Sequence, residues 1–476
     1  MTLDIYNTHI ELYPYKQDDY PALEDLYRAT DKFTLKEYPC GYLIEDGKLF
    51  LPRGTSISKI EYMVGAKANH NFESDPKEKM SKEFSSLFEP RNKLQEEAID
   101  FLMNDPNPQL ALNAAPGTGK SFMVAFTSTQ LSEKTIIISP NEGLKSQWIG
   151  TYHKMFNYKP KNLMNISGSN VMDSIILDEV EPADIYFVNH ATLRNYINQH
   201  NGYALHKFFK KIKVGIKVYD ESHLEFANIL LIDFFSNTAR TWYLTATFDR
   251  SDKTESVCFK RAFSSVETYG EYESKTSMEK HVVYHVVNIN SRISPKERYK
   301  VIPYGRGMSS ATYGQYAFNR DPNQTAYNTI LTLMEKIKDL EGKILIFVPL
   351  IEAVDDIVRK LKIDCPERTV AGYHSKISKD EKESAIKKDT IVSTIKSCGV
   401  GRDIPGLRSI ICIEPHSSRV VAEQMIGRLR PYSEDKLTYF FDIVDISIAP
   451  VTWWWKARHK KIQELVKETI YLNLDE

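Results

Sequence analysis

The sequence predicts an α/β protein: two tandem parallel-sheet units behind a small N-terminal region of mixed or β-rich character. Three observations carry this. Apolar runs of strand length alternate with amphipathic stretches in two blocks, at about 86–255 and about 326–452. The first block contains a strand, a glycine-containing loop and a helix-compatible segment in succession, LALNAAPGTGKSFMVAFTSTQL. Residues 1–85 instead show short alternating runs, such as GYLIEDGKLFLPRG, broken by turn residues.

Taken in order, residues 1–85 read as an accessory domain, with DNA binding as one use for it. In 86–255 the segments TIIISP, DIYFVNH, IKVYDES and WYLTAT read as buried strands of a parallel sheet. The less regular stretch 256–325 reads as a connector and entry to the next unit. The rhythm resumes at 326–452 with KILIFVPL, DTIVSTI, RSIICIEP and TYFFDIVD. Residues 453–476 have helical periodicity and are expected to dock back on the second unit.

Length and composition bound the function. A chain of 476 residues is too long for one ordinary core. Its 42% hydrophobic and 26% charged residues are the balance of a soluble globular protein. There is no long apolar run and no basic head followed by an apolar block, so a cytoplasmic location and no membrane partner are expected. Five dispersed cysteines without a C-x-x-C pair argue for buried thiols over disulfides or zinc. The net charge of −1 does not exclude a nucleic-acid partner, because a positive track along one face suffices. The basic, aromatic-rich segments KFFKKIK (207–213) and WWWKARHKK (453–461) fit such a track, and equally fit solvated helix faces with an apolar stripe.

The sharpest chemical signal is the loop at 114–121. Successive backbone N–H groups in such a loop, here over Gly117, Thr118 and Gly119 after the turn residue Pro116, cradle phosphates, and the helix N-terminus adds its positive end. Lys120 would reach the β- and γ-phosphates, and the Ser121 hydroxyl would ligate Mg²⁺. Ala114 stands where the general pattern has glycine. A phosphate loop alone leaves kinases, GTPases and many ATPases open. About a hundred residues on, VGIKVYD ends in Asp220-Glu221-Ser222-His223. Chemistry at a strand's carboxyl end lies where an open α/β sheet exposes its ligand crevice. Asp220 would hold the magnesium and Glu221 would polarise the attacking water, the two pointing to opposite sides of the strand end.

With DESH and the following Thr245-Ala246-Thr247, the sequence resembles the superfamily 2 helicases, whose two RecA-like lobes it would share. Other motifs stand in family order over 86–446. Pro90 to Gln95 is similar to the adenine-sensing Q motif, which implies Gln95 as the base reader and Arg91 among the cofactor-binding residues. Ser139-Pro140-Asn141, with Leu144, Gln147 and Trp148, resembles motif Ia, and Asn189 to Leu193 a later strand-contacting segment. KILIFVP resembles motif IV. Ser393-Thr394 with Gly399 to Ile404 resembles motif V, and Gln424 to Arg428 motif VI. The resemblance implies that ATP, with Mg²⁺, binds where the two lobes meet. Gln424 and Arg428 would take part in catalysis, Arg428 as the arginine finger. Gly401 and Asp403 would sense nucleotide, Thr245 and Thr247 would couple the sites, and Asn141, Thr192 and Thr394 would contact the strand without reading sequence. Pro431 stands where the family has a second arginine, and Arg430 lies one position early.

DESH in place of DEAD, and lobes without large insertions, disfavour a typical DEAD-box RNA unwinder. The QW of motif Ia, DESH and the Asn319-Arg320 pair are similar to the compact phage recombination helicases of the UvsW type. More distantly they resemble RecG, the XPB-like group and a poxvirus transcript-release helicase. That resemblance implies a monomeric enzyme acting on branched or forked DNA, with RNA as a partner in R-loops. An RNA helicase or transcript-release factor, and a nucleotide-gated clamp that does not unwind, stay open as alternatives.

Overall fold

A computed structural model describes residues 1–30, 37–44, 46–81, 84–114, 118–158, 160–245, 253–270, 280–304, 307–398, 404–429 and 437–473. The chain forms two compact units, Met1–Ser274 and Lys275–Glu476.

The first unit is built on a seven-stranded parallel sheet. Its strand order is Leu163–Asn165, Ile185–Asn189, Thr135–Ser139, Ile216–Tyr219, Arg240–Thr245, Gln109–Asn113, Glu267–Tyr269. Central strands covered by helices on both faces need apolar side chains on both, and Thr135–Ser139 is buried at every position. One strand breaks the rule: Lys217 is fully buried. Its ammonium is satisfied by Asp233 at 2.6 Å and by the Ser236 hydroxyl and carbonyl, as a buried charge requires. The Tyr219 and Tyr243 hydroxyls donate to the two oxygens of the same Asp233.

The N-terminal residues form a five-stranded sheet in the order Tyr42–Ile44, Lys48–Pro52, His9–Tyr13, Thr2–Ile5, Asn69–His70. It is antiparallel except for its last pair. It has its own core of Leu3, Ile5, Ile10, Leu12, Leu49 and Leu51. It also belongs to the first unit, because Phe50 turns out of it to pack on Phe234 and Phe235, and the Ser264 hydroxyl donates to the Gly54 carbonyl at 2.7 Å.

The second unit repeats the seven-stranded parallel sheet, in the order Val370–Tyr373, Thr390–Ser393, Lys343–Phe347, Leu407–Cys412, Thr438–Asp445, Val282–Ile289, Glu468–Asn473. The stretch 256–325, expected as a connector and entry to the second unit, supplies the strand Val282–Ile289 to this sheet. It also supplies Cys258, Phe259 and Ala262 to the core of the first unit. The C-terminal helix spans Ala449–Leu465, and the edge strand Glu468–Asn473 follows it. Trp455 packs on the core and donates to the Tyr284 hydroxyl at 3.1 Å, while Trp453 is exposed. Among the described residues, no helix is long and apolar enough to cross a membrane, and Cys40, Cys258, Cys398 and Cys412 are buried.

Candidate nucleotide site

The strand order sets the geometry. The strand Gln109–Asn113 leads to the glycine loop, Ile216–Tyr219 leads to Asp220, and Arg240–Thr245 lies hydrogen-bonded between them. All three run parallel, so the loop, the acids and Thr245 emerge at one sheet edge, where α/β folds bind ligands.

The glycine loop enters the helix Lys120–Leu131 through Gly119, whose φ of 92° is left-handed. A Cβ there would sit 2.6 Å from the Gln95 side-chain nitrogen, which would have to shift, and the left-handed conformation itself favours glycine. Gln95 sits in the first turn of the helix Lys93–Asn104, where Asn92 caps its amide at 3.0 Å. Its side-chain N–H donates to the Thr118 carbonyl at 2.8 Å, and its oxygen accepts the Arg91 amide at 2.9 Å. Both ends of a side chain expected to read the base are thus joined to main chain, one of them in the phosphate loop. The Lys120 ammonium donates to the Ala114 carbonyl, and Ser121 lies in the first helical turn. Pro116 and Gly117 lie outside the described residues.

Asp220 is buried, and its carboxylate accepts the Trp148 indole N–H at 2.8 Å. Burial pushes its pKa above the usual carboxylate value, against the opposing pull of the Trp148 N–H, the Lys120 charge and the Glu221 amide. Glu221 has a φ of 48°, left-handed for a residue with a side chain. Its carboxylate lies 3.3 Å from His223 Nδ1. His223 Nδ1 also meets the Thr245 hydroxyl at 3.1 Å. Thr247 lies outside the described residues.

The residues expected to touch a strand are placed less simply. Asn141 caps the helix Glu142–Met155 by accepting the Leu144 amide at 3.0 Å. Thr394 is buried, accepting the Ser397 amide at 3.1 Å. Both side chains are engaged in local structure, which sequence motifs do not reveal because caps and phosphate contacts use the same polar residues. Thr192 is half-buried in the helix His190–His200. In the second unit, Gln424 is buried in the helix Arg419–Ile426, and the half-buried Arg428 lies two residues beyond that helix. Gly401, Asp403 and Arg430 lie outside the described residues, as does Pro431.

Two polar groups had no place in the motif reading. Glu414 accepts the Ile395 amide at 2.8 Å and the Ser310 hydroxyl at 3.3 Å, and burial pushes its pKa up to about 7. His223 was visible only as the last letter of DESH. Its contact with Thr245 appears once neighbouring strands are paired.

A phosphate-loop lysine, a buried aspartate and the glutamate that follows it on one parallel-sheet edge define a nucleotide-hydrolase fold, and a second sheet of the same kind follows it. Residues 88–250 match the family described as type III restriction enzyme, res subunit, and residues 326–430 match the helicase conserved C-terminal domain. The chain belongs to the superfamily 2 helicases. No curated protein matches it. Among solved structures it is similar to S. cerevisiae Dbp5 bound to RNA and ADP BeF3, at 14% identity over 80% of this chain and 90% of that one, with a TM-score of 0.57. It is similar to the DEAD-box helicase Mss116 bound to ssRNA and UDP-BeF, at 16% identity over 80% and 74%, with a TM-score of 0.54. T4 UvsW matches over 100% of both chains at 14% identity, with a TM-score of 0.37. Identities this low bear on the fold alone. Membership of the family implies ATP as the substrate and nucleic acid as the partner.

Proposed function

We propose that this helicase is an ATP-driven DNA motor that remodels branched DNA, meaning forks, Holliday-type junctions and R-loops, in phage replication and recombination. The observation that carries the motor reading is the division of labour at the sheet edge, with Asp220 beside Lys120 and Trp148 and Glu221 turned to His223. The preference for DNA is supported by the match of residues 88–250 to a restriction-enzyme family and by the QW and DESH motifs.

In this reading Lys120 leaves the Ala114 carbonyl for the β- and γ-phosphates of ATP, while Thr118 and Gly119 lend backbone to the cradle. Ser121 and Asp220 fit a magnesium ion, since a hydroxyl and one carboxylate beside substrate phosphates are its ordinary donors. Bound there, the ion would neutralise charge developing on the phosphates. Glu221 accepts a proton from the attacking water, and Arg428 steadies the transferring phosphoryl group. Arg91 and Gln95 support the base end of the site.

The test is a panel of ATPase and strand-displacement assays on single-stranded DNA, duplex, fork, four-way junction, R-loop and RNA. Branched DNA is expected to give the strongest stimulation. Stimulation by RNA alone would replace this reading with an RNA helicase, and nucleotide-dependent binding without displacement would replace it with a gated clamp. Arg428→Ala is expected to keep DNA binding and lose turnover.

A further inference from the structure

The helix Glu142–Met155 reaches the acid from the neighbouring strand with one side chain. Trp148 is 1% exposed, and its indole N–H lies 2.8 Å from Asp220 Oδ2. An indole nitrogen can only donate, and a donor to a carboxylate makes one of the stronger hydrogen bonds in a protein interior. The first turn of the same helix is tied elsewhere, because Glu142 accepts the Asn189 side-chain N–H at 2.9 Å. Glu142 and Trp148 are six residues apart, about 9 Å along the axis. One helix therefore joins the start of the helix His190–His200 to the carboxylate beside the phosphate loop.

We propose that Trp148 is the positioning residue for Asp220: its N–H occupies Oδ2 and so turns Oδ1 toward the metal that accompanies the nucleotide. The proposal rests on Asp220 as the magnesium-holding acid. Without the N–H the carboxylate loses the contact that orients it. Nucleotide binding in the absence of metal is then untouched, while the gain that Mg²⁺ gives is reduced.

The test is equilibrium binding of a fluorescent ADP to the full chain, with Mg²⁺ titrated and with EDTA, for wild type, Trp148→Phe and Asp220→Asn. Losing a hydrogen bond to a charged group should raise the Mg²⁺ concentration for half-maximal enhancement about tenfold in Trp148→Phe, with affinity in EDTA unchanged. A magnesium titration within twofold of wild type overturns the proposal. If Asp220→Asn keeps the full Mg²⁺ enhancement, the assignment of Asp220 itself fails, which separates the two ideas. A second readout does not depend on how Phe packs. In wild type labelled with ¹⁵N-indole tryptophan, the resonance missing from Trp148→Phe should shift on adding Mg²⁺ and ADP. An unmoved resonance overturns the proposal.

Discussion

The left-handed Glu221 and His223 face each other at 3.3 Å, and the same imidazole nitrogen lies 3.1 Å from the Thr245 hydroxyl. The acid expected to take the water's proton is thus held by a side chain that also touches the neighbouring strand's end. Glu221→Gln should leave ATP affinity within about twofold of wild type and lower kcat by about 10²–10⁴-fold, the usual worth of a general base. His223→Ala should lower kcat by a smaller factor, about tenfold, with KM unchanged, because it disturbs orientation and not the base. Steady-state ATPase rates beside equilibrium nucleotide binding decide both, and unchanged turnover in Glu221→Gln would remove the assignment.

The left-handed backbone at Gly119, beside the Gln95 amide, disfavours any side chain there. In Gly119→Ala the new methyl meets the Gln95 nitrogen at 2.6 Å and the residue is strained at a φ of 92°. Nucleotide affinity should fall at least about tenfold, since a misplaced residue in the left-handed region costs about 1–2 kcal/mol before any clash. Gln95→Ala alone should weaken binding by freeing the Thr118 carbonyl. Combining the two should relieve the clash and not the backbone strain, so the double variant stays weaker than Gln95→Ala. Isothermal titration with ADP measures all three.

How much of this was legible in the sequence follows from range. Asp220 and Lys120 could be found because a strand end and a helix start are local patterns, and the two parallel sheets followed from apolar runs of strand length. The strand Val282–Ile289 is not individually legible within the stretch read as connector and entry to the second unit, because its register with Thr438–Asp445 joins residues more than 150 apart. Lys217 gave no hint of full burial, since Asp233 and Ser236 approach it only when the helix Phe226–Phe234 folds over the sheet. Asn141 was named for its motif, and its role as a cap needed backbone geometry. Trp148 was named as a motif letter, and its bond to Asp220 crosses 72 residues.

The same range effect hides a buried pair in the second unit. Arg458 donates to Asp442 at 2.6 Å with both side chains almost fully buried, and Tyr284 donates to the other oxygen of Asp442 at 2.9 Å. Burial, the largest single influence, lowers the arginine's pKa, but the charge and hydrogen bond of Asp442 together with Cys412 and Tyr284 turn the net direction upward. This pair fastens the helix Ala449–Leu465 to the sheet. Arg458→Met should destabilise the second unit by about 3–5 kcal/mol, the cost of leaving one buried charge alone. Arg458→Met with Asp442→Leu should recover much of that loss. Denaturant unfolding followed by tryptophan fluorescence reads the change, since Trp453, Trp454 and Trp455 lie on this helix. A loss under 1 kcal/mol for the single variant would mean that the helix is held by packing.

His190 carries a prediction of opposite chemical kind. It is buried and stacked on Tyr219 at 5.7 Å, and neither ring nitrogen has a hydrogen-bond partner. Burial lowers its pKa from 6.5 to about 3. The unfolded chain then binds a proton below pH 6.5 that the folded chain refuses until about pH 3, so stability falls as pH drops through that window. At pH 5 the loss from this one group is about 2 kcal/mol relative to pH 8. His190→Phe keeps the ring stack, removes the titration and removes two unsatisfied nitrogens. It should therefore be at least as stable as wild type at pH 8 and more stable by about 2 kcal/mol more at pH 5. Urea unfolding of both proteins at the two pH values gives the comparison as a difference of differences, in which the other titrating groups cancel. Equal offsets at the two pH values would show that His190 accepts its proton in the folded chain, and the imidazole would then have to find a partner that the buried stack does not provide.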